Sequence, residues 1–159
     1  LKCTSHMPAF VTKEGNFHIP IFGRMLRKCC FLKIDRDNPR QSLLCLMKAA
    51  DYIKNDIVSI GIYPEGTRNT KYEEGLLPFH NGVFKIAKMA KVPVVVLTVS
   101  GTEKIPKNFP FRRTKIKMNV QAVLETEYIC SHKTEEISGK VQSLMNAELY
   151  PNISKPVSL

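Results

Sequence analysis

Apolar and polar positions along the chain switch repeatedly between a period of two and a period near 3.6, and those switches lay out the elements. AFVTK at 9–13 reads as a short strand. In PIFGRMLRKCC, 20–30, Pro20 suits a first helical turn, and Phe22, Met25, Leu26 and Cys29 recur at helical spacing, which predicts a helix with those four on its inner face. FLKI at 31–34 returns to strand. Asn38 then offers an N-cap and Pro39 a first helical residue, and Leu43, Met47, Ala50 and Ile53 mark the inner face of a helix reaching about Asn55. IVSIGIY, 57–63, is rich in β-formers and stops at Pro64, which cannot supply a ladder N–H.

Beyond a polar stretch, Val83, Ile86, Ala87 and Ala90 predict another helix. VPVVVLTV at 92–99 is nearly continuous in apolar residues, the pattern of a strand covered on both faces. IKMNVQAVL at 116–124 alternates, as a strand with one exposed face does. A last helix spans 135–149 with Thr134 as cap, acids in its first turn, and Ile137, Val141, Leu144 and Met145 inward. Strand and helix thus alternate, which predicts an α/β fold: one layered domain over residues 1–150, a central largely parallel or mixed sheet flanked by helices, and a tail at 151–159. The longest apolar stretch falls well short of the ~20 residues a spanning helix needs. Any membrane contact made by these residues is therefore expected to be peripheral.

Charge narrows the partners. With 24 Lys plus Arg against 14 Asp plus Glu, the net charge of +10 attracts polyanions: nucleic acid, an anionic membrane surface or a phosphate-bearing small molecule. A nucleic-acid surface wants cations on one face interleaved with aromatics, whereas here Trp is absent and the cations are scattered, so no nucleic-acid partner is expected. Cys3, Cys29, Cys30, Cys45 and Cys130 are odd in number and form no CxxC pair, which suits a reducing compartment and a role as small buried hydrophobes.

Candidate chemistry concentrates in IYPEGTRNT, 62–70, where a strand gives way to a loop. In α/β sheets ligands gather beyond the carboxyl ends of strands. Gly66 permits close approach to the backbone, Thr67 adds a hydroxyl, and Arg68 adds a planar fork that matches two phosphate oxygens. Glu65 can orient Arg68 or accept a hydrogen bond from a substrate hydroxyl. The competing reading is an ordinary turn with a solvated Glu65–Arg68 pair, and residue types alone leave both open.

YPEGTR resembles a signature of the glycerophospholipid acyltransferases. GLLPFHNGVFKIA (75–87) resembles the segment that follows that signature, FVTKEGNFHIPIFGRMLRKCCFLKIDRDN (10–38) the block that precedes it, and VPVVVLTVSGT (92–102) the family's Val-Pro block. The similarity runs over about residues 9 to 125, with the blocks in the family's order. The resemblance implies that Glu65, Gly66 and Arg68, with Thr67, form the loop that binds the phosphate-bearing acceptor. Arg36 then takes the place of the family's second phosphate-binding arginine, and Lys13 that of a basic residue in the same block. A phosphate monoester carries nearly two negative charges, so convergent cations make physical sense. The bland alternatives are an exposed pair of Arg36 with Asp35 or Asp37, and a solvated Lys13.

In one respect the chain departs from the family. The catalytic motif is HxxxxD, yet five residues after His6, His18, His80 and His132 stand Val11, Gly23, Lys85 and Ile137. The motif is expected upstream of Leu1, leaving no catalytic residue within these 159 positions. The reaction implied is transfer of a fatty acyl group from coenzyme A or acyl carrier protein to lysophosphatidic acid, giving phosphatidic acid, with no resident cofactor and no metal. The implied setting is an anionic membrane surface on the cytoplasmic side. Arg24, Arg27 and Lys28, or Arg112, Arg113 and Lys115, can meet lipid head groups or coenzyme A phosphates, or form solvated basic faces. Ile21 and Phe22 suit a membrane interface, an acyl groove or the core. A non-catalytic phospholipid-binding relative is the alternative function.

Overall fold

The computed structural model describes residues 8–35, 38–70, 75–108 and 110–151. Two compact units emerge: Leu1–Pro64 with Gly82–Lys91, and Glu65–Asn81 with Val92–Leu159.

The first unit is built on a parallel sheet in the order β2-β1-β3, with β1 at Ala9–Lys13, β2 at Leu32–Ile34 and β3 at Ile60–Gly61. Val11 to Lys13 pair with Leu32 to Ile34, and Ala9 and Phe10 with Ile60 and Gly61, so all three strands end at the same edge. Only Ile60 and Gly61 of the predicted 57–63 strand join the ladder. The β-formers around them serve packing instead: Ile60 and Ile62 touch the core, and the Tyr63 ring stacks on Phe10 with centroids 6.0 Å apart.

Three helices cover this sheet: α1 (Phe22–Lys28), α2 (Pro39–Lys54) and α3 (Lys85–Ala90). α2 starts as its sequence dictates, with Asn38 Oδ1 accepting the Gln41 N–H at 3.2 Å and Pro39 in the first turn. Its buried stripe is Cys45, Ala49 and Ala50, backed by Leu46 and Ile53, while Leu43 and Met47 are about half exposed (49% and 52%). Small side chains let the helix lie close to Leu32 and Ile86, and this close approach outranks the larger residues. The same logic turns α1. A Cβ on Gly23 would stand 2.1 Å from the Phe17 carbonyl oxygen, so the helix rests on Gly23 and Leu26, and Phe22, Met25 and Cys29 face outward rather than inward.

The second unit pairs β4 (Val94–Ser100) antiparallel with β5 (Lys117–Leu124), with a register shift between Val96 and Leu97. α4 (Ile105–Asn108), α5 (Thr126–Ser131) and α6 (Thr134–Leu149) complete it. α6 packs on β4 and β5, and Val96, Thr98, Leu124, Ile129, Ile137 and Val141 are buried. Gln121 Nε2 donates to the otherwise enclosed Thr98 hydroxyl at 2.9 Å. β4 is therefore not covered on both faces: Val95 and Leu97 remain 45% and 41% exposed, opposite Val123 and Val120. The mixed α/β class holds, with a parallel sheet flanked by helices and β4–β5 adding an antiparallel ladder.

Cys45 is a buried thiol whose pKa burial pushes up, as expected of a small hydrophobe, but Cys29 and Cys130 are exposed. If Cys45, Ala49 and Ala50 form the true stripe of α2, Ala49→Leu overpacks the unit and lowers stability by about 1–3 kcal/mol. Met47→Ala on the half-exposed side then changes it by no more than about 0.5 kcal/mol. Urea unfolding midpoints of the two variants check the order, and the reverse order would place Met47 inside.

Candidate functional site

The loop 65–70 takes its shape from two side chains at its ends. Glu65, partly buried, accepts the Leu77 backbone N–H on Oε2 at 2.9 Å, and Asn69 Nδ2 donates to the Gly75 carbonyl at 2.7 Å. Between them Gly66 has φ +67°, a left-handed conformation that glycine adopts without a Cβ penalty. Helix α6 completes the arrangement from the other side of the 75–77 segment. Asn146 Oδ1 accepts the Leu76 N–H at 3.4 Å, and Gln142 Nε2 donates to the Leu77 carbonyl at 3.2 Å. Four side chains thus satisfy four backbone groups of a segment that, among the described residues, has no backbone–backbone partner.

Thr67 and Arg68 lie exposed on the loop. Among the described residues Arg68 forms no ion pair with Glu65, whose carboxylate is turned onto Leu77 instead. The solvated Glu65–Arg68 pair of an ordinary turn is thereby excluded. What remains is a guanidinium fork that, among the described residues, forms no ion pair, beside a glycine backbone. Such an arrangement suits a doubly charged oxyanion. Close by in the same unit, burial raises the Tyr150 pKa, and the Glu65 carboxylate raises it further.

The other expected site residues are distributed differently. Lys13 is exposed at the carboxyl end of β1, paired in register with Ile34, and belongs to a different compact unit from Glu65, Gly66, Thr67 and Arg68. Arg36 lies outside the described residues. His132 has a local role: its ring stacks on Tyr128 at 3.9 Å and its Nδ1 lies 2.9 Å from the Tyr128 carbonyl. Sequence reasoning missed Asn69, Gln142, Asn146 and Tyr150. The available signal was the i, i+4, i+8 spacing of the last three, which puts them on one face of a helix and just past its end.

Residues 1–100 match the family described as Acyltransferase, and the chain belongs to that family. It is 28% identical over 135 residues to the 1-acyl-sn-glycerol-3-phosphate acyltransferase of Saccharomyces cerevisiae, covering 84% of this chain and 45% of that protein. To the enzyme of the same name from Escherichia coli it is 36% identical over 92 residues, covering 58% and 37%. The crystal structure of the 1-acyl-sn-glycerophosphate (LPA) acyltransferase PlsC from Thermotoga maritima superposes with a TM-score of 0.69 at 22% identity, covering 95% of this chain and 59% of that one. That likeness is one of fold. The chain spans less than half the length of the two curated relatives.

The Tyr150 phenol gives the site a spectroscopic handle. Because its folded-state pKa is raised above 10.0, its share of stability is complete below that pH and is lost as pH rises through the folded value. Glu65→Gln is expected to lower the ionisation pH of Tyr150 part of the way, since burial is the larger cause and remains. Ultraviolet titration against Tyr150→Phe isolates the transition; an unmoved or raised value would separate the two groups.

Proposed function

We propose that the protein serves to acylate lysophosphatidic acid, moving a fatty acyl group from a thioester of coenzyme A or acyl carrier protein and yielding phosphatidic acid. The observation that carries this reading is the exposed Arg68 fork, which forms no ion pair among the described residues while Glu65 is bonded to the Leu77 N–H. Arg68, Thr67 and the Gly66 backbone grip the phosphate; the family resemblance extends a phosphate-binding role to Arg36 and Lys13. With the phosphate held, the acceptor hydroxyl is aimed at the thioester carbonyl. Its oxygen forms the new ester bond, the carbon–sulfur bond breaks, and the proton passes to the departing thiol. The donor is a co-substrate, and neither a resident cofactor nor a metal is required. These 159 residues hold no HxxxxD motif, so their part in the reaction is acceptor binding.

Loss of charge-assisted hydrogen bonds worth about 1.5–3 kcal/mol makes Arg68→Ala about 10- to 100-fold weaker for lysophosphatidic acid, by calorimetry on this chain. In the protein from its full coding sequence, the same change abolishes most thiol release from acyl-coenzyme A. Unchanged affinity and turnover would refute the assignment, whereas binding without any turnover in the full protein would favour a non-catalytic phospholipid-binding relative.

The same reading places the protein against an anionic membrane surface on its cytoplasmic side. Among the described residues no helix is long and apolar enough to cross a membrane. Supporting peripheral contact, Ile21, Arg24, Met25 and Lys28 of α1 and its N-cap line a shallow hollow of about 230 Å³, and Ile21 is 88% exposed at φ +65°, a strained conformation for a β-branched residue. No acidic residue stands between Glu14 and Asp35. Apolar side chains beside Arg24 and Lys28 suit insertion among anionic head groups. Exposed free thiols at Cys29 and Cys130 suit the reducing side. Ile21→Asp with Phe22→Ser is expected to reduce cosedimentation with phosphatidylglycerol-containing vesicles while leaving the unfolding midpoint near that of the parent; retained cosedimentation would rule out this face.

A further inference from the structure

We propose that Gln142 and Asn146 are positioning residues that set the conformation of the acceptor-binding loop from a helix lying beyond the family-matched residues 1–100. The proposal rests on the acceptor-binding reading of Arg68, but its structural part stands on contacts alone.

α6 is anchored independently of the loop. Ile137 is fully buried and Val141 4% exposed, so the inner stripe of the helix is fixed by packing. One position onward along the helical turn, Ser138, Gln142 and Asn146 form a parallel polar stripe, and its two amides reach the backbone of Leu77 and Leu76. Leu77 in turn holds Glu65 through its N–H. The chain of contacts therefore runs from a packed helix, through two amides and a short extended segment, to the residue that precedes Gly66. Each link is a backbone group with a side-chain partner. If the amides are removed, Leu76 N–H and Leu77 C=O lose their internal partners and the segment is free to shift, taking Glu65 with it.

The choice of amides also fits the charge of the site. Asn146 accepts and Gln142 donates without adding net charge near a loop that must receive an anion. A carboxylate at 146 keeps the acceptor for Leu76 but adds a negative charge to the unit that holds Glu65 and Arg68. Geometry and affinity are thus separable by a single atom pair. Asn146→Ala loses both the hydrogen bond and the fixed geometry; Asn146→Asp keeps the hydrogen bond and penalises the anion.

Hydrogen exchange followed by mass spectrometry on this chain reads the geometry directly. In Asn146→Ala and Gln142→Ala, peptides covering 65–70 and 75–79 are expected to exchange about 3- to 10-fold faster, with peptides of β4 and of residues 137–141 unchanged. Asn146→Asp restores slow exchange at 75–79. Lysophosphatidic acid binding, by calorimetry, weakens several-fold in Asn146→Ala and also in Asn146→Asp. Unchanged exchange in the alanine variants, uniform acceleration across the unit, or failure of Asn146→Asp to restore protection would each overturn the positioning role. Should the parent chain bind no lysophosphatidic acid, the acceptor reading fails, and the exchange pattern still decides whether the two amides hold the loop.

Discussion

A backbone amide buried without a partner is costly, and among the described residues no backbone group pairs with the 75–77 segment. The carboxylate of Glu65 on the Leu77 N–H is the interaction on which the loop depends, because it commits the one acid of the signature to the protein interior. Once Glu65 is committed there, Arg68 has no ion-pair partner among the described residues. That Arg68 is not paired with the acid of its own signature thus follows from a local hydrogen-bond requirement. Asn69 on Gly75 closes the other end, so the three residues Gly66, Thr67 and Arg68 are held between two fixed points.

The parallel sheet of the first unit obeys a different constraint. Its strands are short, and three residues or fewer of each partner pair with β1, so cohesion comes from helix packing more than from the ladder. Cys45, Ala49 and Ala50 allow that packing because they are small. All three strands end at one edge, where Lys13 projects from the last position of β1. This matches the general preference of α/β folds for chemistry at carboxyl ends of strands.

Much of this was legible in the sequence, and the exceptions share a cause. The Asn38-Pro39 start of α2, the strand at 9–13 and the last helix were all readable because local signals determine them. The buried faces of α1 and α2 were legible only in part: Leu26, Ala50 and Ile53 do pack inward, whereas Phe22, Met25, Leu43 and Met47 do not. Leu43, Leu44, Leu46 and Met47 put apolar residues around most of the helix, and the choice of stripe falls to the small residues that permit close approach, a tertiary decision. β4 misled for a similar reason: a continuous apolar run does not reveal that a helix covers only one side. At the site, Gly66, Thr67 and Arg68 were readable by type, but the partner of Glu65 is a backbone N–H, which no side-chain pattern reports. Gln142 and Asn146 left a trace in their spacing beside Ile137 and Val141, though it says nothing of what they hold.

Why a loop suited to an oxyanion should contain an acid at all then has an electrostatic answer. Paired with Arg68, Glu65 would neutralise the guanidinium fork and compete with any anion approaching it. Bonded to a neutral N–H, the same carboxylate organises the backbone and does not pair with the guanidinium of its own signature. Its negative field is felt instead by Tyr150, whose proton is held more tightly as a result. A neutral amide at 65 would fill the hydrogen bond less strongly, since charge-assisted bonds to backbone N–H exceed neutral ones. The signature's acid and base thus stand three residues apart in sequence while facing opposite ways, one inward to shape and the other exposed to solvent.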